Sequence, residues 1–155
     1  MISRIAIQGI AVQIEIGGQR KPMKIWEFEI DGTLLSERLG IDRSDLRFCM
    51  SDLDCGPQNK AVLDRYFMEL RGEVVPSNQF GSGRLRLYGC HCGCDYCGVI
   101  SVKLVMSPDT VEWQDFRLEN EPLGPVLCDR LTFRKSDYMK ALSLAEAEIY
   151  GEIHG

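Results

Sequence analysis

The chain has 155 residues, 18 of them basic and 23 acidic, for a net charge of −5. That length fits a single domain over residues 1–155, and the 45% hydrophobic and 26% charged fractions exclude wholesale disorder. The acidic balance argues against a general nucleic-acid binder, whose phosphate contacts need surplus Lys and Arg, and no apolar run reaches the roughly 18 residues of a membrane span.

Residues 1–18 are rich in isoleucine but interrupted by Arg4, Gln8, Gln13 and Glu15, so the unbroken apolar segment of a signal peptide is missing and a cytoplasmic chain is expected. Ile5 and Ile7 can begin a strand. Val12, Ile14 and Ile16 alternate with polar residues, as do Trp26, Phe28 and Ile30 with Glu27 and Glu29, which predicts a hairpin turning at 17–22 with one wet face. Asp31-Gly32 closes it. Residues 42–56 read as an irregular acidic stretch. Pro57 suits the first turn of a helix running to Leu70, with Leu63, Tyr66, Phe67 and Leu70 on one face and Gly72 as its stop.

Residues 76–83 read as a loop. Leu85 and Leu87, then Ile100, Val102, Leu104 and Met106, follow strand parity. Ser107–Thr110 turns into Val111, Trp113, Phe116 and Leu118, whose parity switches after Trp113 and so predicts a β-bulge or a strand covered on both faces. Residues 120–125 form a short loop, Leu131 and Phe133 can add an edge strand, and Ser136 or Lys135 precedes a last helix with Tyr138, Leu142, Ala145 and Ile149 on its apolar side. The expected class is α+β, a mainly antiparallel sheet of hairpins with two helices packed on it.

Cys90, Cys92, Cys94 and Cys97 fall within eight residues, between two predicted strands. Zinc takes four tetrahedral ligands, and Cys94 and Cys97 have the two-residue spacing that aims both sulfurs at one ion; Cys90 and Cys92 would have to fold back to complete the set. No second pair at that spacing exists, although Cys49, Cys55 or Cys128 could approach. The other readings are a reversible disulfide and a metal-free structural loop. A strand pattern after Cys97 denies that cysteine the helix dipole that activates redox thiols. Cys90 or Cys92 with His91 makes a poor nucleophile pair, because neighbours on an extended backbone point to opposite faces.

Leu87–Cys90, Cys97-Gly98, Val111–Phe116 and Phe133–Tyr138 together resemble a family of small uncharacterised bacterial proteins with a Cys-rich loop ending Cys-Gly, a Val-x-Trp-x-Asp-Phe hairpin and a final helix. The likeness spans about a third of the chain and implies a shape without an activity. The extra cysteines at alternate positions depart from its pattern.

Asp42, Asp45, Asp52 and Asp54 crowd into thirteen positions. They lack the Asp-x-Asp-x-Asp-Gly loop of an EF-hand, and nothing beside them suggests a glycosidase. A solvated loop is one reading. The other is a contact surface for a basic protein partner, since clustered carboxylates speed encounter. The two aromatic pairs, Trp26 with Phe28 and Trp113 with Phe116, read as core. A small acidic domain without visible catalytic groups is similar in kind to bacterial immunity proteins, which neutralise toxins by stoichiometric binding. That is the expected function, with a basic toxin domain as partner. A zinc-stabilised binding domain and a thiol redox protein are the alternatives.

Overall fold

The computed structural model describes residues 1–120 and 123–154. Strands β1 (Ile5–Ile16) and β2 (Gln19–Ile30) pair along their whole length, so the two expected N-terminal strand pieces are one strand of twelve residues. Only Gly17 and Gly18 form the turn, at φ 61° and 78°, conformations that a side chain would strain. The rest of the expected turn, through Pro22, belongs to β2. Asp31 and Gly32 make the second tight turn into β3 (Thr33–Leu34) and the short helix α1 (Leu35–Leu39).

Helix α2 (Lys60–Leu70) begins later than expected. Asn59 rather than Pro57 opens it, its side chain accepting from the Val62 N–H. The second sheet is β4 (Leu85–Gly89), β5 (Val99–Met106), β6 (Thr110–Glu119) and β7 (Leu131–Arg134), antiparallel in that order. The parity switch in β6 is a bulge. Ser101 pairs with Arg117 and Lys103 with Gln114, so Asp115 and Phe116 oppose a single residue, and Asp115 has φ 59°. Arg84 and Arg117 both hold the Asp115 carboxylate. Helix α3 (Lys135–His154) follows β7 directly. Of the 120–125 loop, Glu121 and Pro122 lie outside the described residues.

The chain is therefore α+β, as expected, with sheets of three and four strands. They meet where the Ser3 N–H donates to Thr132 O at 2.7 Å. One apolar cluster draws on both sheets, α2 and α3. Trp113 is its centre, edge-on to Phe28 at 5.2 Å and to Phe133 at 5.7 Å. Buried hydroxyls join the helices to the frame: Tyr138 donates to Leu70 O at 2.6 Å, and Tyr66 to Arg86 O at 2.5 Å. No described helix is long and apolar enough to cross a membrane.

Candidate metal centre

The loop from Cys90 to Gly98 joins β4 to β5, adjacent antiparallel strands, so the expected hairpin connection is the one observed. The Gly93 N–H donates to Cys90 O and closes the first turn, with Gly93 at φ 78°. A single 3-10 turn, Asp95–Cys97, then leads to Gly98 at φ 112°, where the Leu118 side chain comes within 3.2 Å of where a Cβ would stand. These bends bring the sulfurs of Cys90, Cys92 and Cys97 within 4.8 Å of one another, with Cys92 and Cys97 3.5 Å apart. Four sulfurs around zinc at 2.3 Å are spaced about 3.8 Å, so the triangle has the size of one face of such a tetrahedron. It is the one group of three or more potential ligands this close among the described residues.

Cys94, expected with Cys97 as the surest half-site, does not join the triangle. It occupies the extended position before the 3-10 turn, and its backbone N–H serves the Cys92 sulfur instead. That N–H, together with the Cys90 and Cys97 thiols, lowers the Cys92 pKa. Donating to Cys92 and Cys90 pushes Cys97 up to about 12. Of that contacting pair, Cys92 ionises before Cys97. Cys49, Cys55 and Cys128 also stay outside the group, and burial raises the pKa of each. The expectation that His91 points away from its neighbours fails. His91 and Cys92 form a turn rather than extended chain, and the Cys90 sulfur lies 3.6 Å from His91 Nδ1.

What holds the loop is Asp95, 1% exposed. Its Oδ1 lies 3.0 Å from Arg86 Nε, its Oδ2 accepts from the Gln79 N–H, and its own N–H donates to Gln79 Oε1. The Tyr96 hydroxyl donates to Gln79 O, and its ring packs edge-on against Phe80 at 4.9 Å. The His91 N–H donates to Leu46 O, which fastens the loop to the acidic stretch. None of these anchors uses a thiol.

The four aspartates do not form one surface. Asp42 accepts from the Ser44 N–H and hydroxyl, and Asp45 pairs with Arg47; both hydrogen-bond sets lower the carboxyl pKa. Asp52 and Asp54 turn inward, their side chains only 13% and 16% exposed, to meet Arg86 at 2.8 Å and Arg43 at 3.2 Å. Arg43 is itself buried, paired with the fully buried Glu27, stacked on Tyr88, and donating to the carbonyls of Trp26, Phe48 and Cys49. Tyr88 donates to Glu27 as well. Glu27 was expected on the wet face of the hairpin. The buried face there is polar, and an arginine from another segment satisfies it.

Comparison with protein-family models, curated proteins and solved structures found no match to the chain.

Proposed function

We propose that the protein is a zinc-binding domain, the ion held by Cys90, Cys92 and Cys97, and that it works by binding a protein partner rather than by catalysis. The observation that carries the reading is the mutual approach of the three sulfurs to the spacing of a zinc-thiolate face. Zinc suits an all-thiol set on a surface loop because it binds thiolates strongly and undergoes no redox change. A reducing compartment such as the cytoplasm fits the same reading, since all seven cysteines are free thiols. The bound ion would fix the shape that loop 90–98 offers a partner.

Stoichiometric neutralisation of a basic toxin domain is the second reading. One observation favours it: the His91–Leu46 hydrogen bond brings the backbone next to Asp45 against the same loop. Asp52 and Asp54 are spent on internal arginines, and Arg47 neutralises Asp45, which leaves little acidic field. The zinc reading therefore stands first.

Competition with a chromophoric chelator tests it. Wild-type protein should take up zinc in a one-to-one complex, and Cys90→Ser, Cys92→Ser and Cys97→Ser should each weaken binding, while Cys55→Ser and Cys128→Ser should not. Uptake that is indifferent to those three positions would overturn the assignment.

A further inference from the structure

We infer that His91 completes this centre through Nδ1, making it a closed site of three sulfurs and one nitrogen. The inference rests on the three-thiolate reading above. In a tetrahedral site with Zn–S near 2.3 Å and Zn–N near 2.0–2.1 Å, a sulfur and a nitrogen ligand stand about 3.6 Å apart. Nδ1 of His91 lies 3.6 Å from the Cys90 sulfur. As placed, the ring lies near Cys90 alone and outside the group whose ligand atoms all approach within 4.8 Å, so ligation requires the exposed imidazole to turn toward Cys92 and Cys97 while the bond of its backbone to Leu46 O holds the chain.

The other donors nearby are engaged. Asp95 is buried, its Oδ2 accepting from the Gln79 N–H and its Oδ1 ion-paired with Arg86 Nε at 3.0 Å though without a hydrogen bond. The Cys94 sulfur stays outside the triangle, and its residue contributes a backbone N–H to Cys92. The chain's other histidine, His154, stacks on Tyr150 at the end of α3. Structural zinc sites of this kind carry four protein ligands, and His91 supplies the missing one from the turn that already presents Cys90 and Cys92.

The test uses the full chain, with cobalt in place of zinc to report the ligand set and a long-range proton–nitrogen spectrum of the zinc form to report each imidazole nitrogen. Zinc should shift the Nδ1 resonance of His91 and leave that of His154 in place. His91→Ala should move the visible bands of the cobalt form. It should also weaken zinc binding by at least the roughly 10–100-fold that loss of an outer-shell partner costs. Cys94→Ser should leave both unchanged, and far-UV circular dichroism should show both variants folded. If His91→Ala keeps the wild-type affinity and bands, or if Cys94→Ser carries the loss, His91 is not the ligand and the three-thiolate reading survives. If wild-type protein binds neither metal, both fall together.

Discussion

Arg43 serves two carboxylates, Glu27 and Asp54, so the buried cluster carries one negative charge more than it can neutralise. Burial pushes the Asp54 pKa up from 3.8 to about 6, against the opposing pull of the Trp26 N–H and Arg43. The folded state therefore holds a proton on Asp54 more tightly than the unfolded chain does. That contribution to stability is complete below about pH 3.8 and is lost as pH rises through about 6. Metal-free wild-type protein should gain up to about 3 kcal/mol from this group between pH 7 and 4. Asp54→Asn should flatten that part of the slope in urea unfolding at several pH values. An unchanged slope would place the titration on Asp52 or Glu69, which burial also raises. The sequence shows four aspartates close together but not which face they take. The partner that draws Asp52 inward, Arg86, lies 34 positions along the chain, and no local pattern announces it.

At the scale of elements, the strands other than the two-residue β3, their hairpins, the β6 bulge and both long helices were legible because each is written in apolar parity or in turn chemistry. The loop was legible as a cysteine cluster between strands, but its geometry was not. Spacing alone favoured Cys94 with Cys97, whereas the 3-10 turn puts Cys97 against Cys92. Asp95 and Gln79, which hold the loop, carry no motif; their reciprocal bonds exist only once residues 77–83 fold back across it. Two substitutions test that account. Gly98→Ala should cost about 1–3 kcal/mol, since φ 112° lies in a region that side chains strain to enter. Asp95→Asn should cost about 1–3 kcal/mol by leaving Arg86 one carboxylate short, and it should also weaken zinc binding although residue 95 is no ligand. Both are measured by chemical unfolding beside a zinc titration. A stable Asp95→Asn chain with full zinc affinity would remove Asp95 as the loop's anchor.

The whole molecule rests on one apolar cluster shared by two sheets and two helices, not on the loop. Trp113→Ala, which empties its centre, should cost about 3–5 kcal/mol and broaden or abolish cooperative unfolding. Chelation of the metal, by contrast, should leave far-UV circular dichroism unchanged and alter only the neighbourhood of residues 90–98, unlike small zinc modules that unfold when stripped. The binding reading thus separates the fold, which the core sustains, from the surface, which the metal fixes. The measurement that bears most directly on it is elemental analysis of protein purified without chelator. The account predicts about one zinc per wild-type chain and a marked loss in Cys92→Ser. Less than about 0.2 zinc per wild-type chain would contradict it.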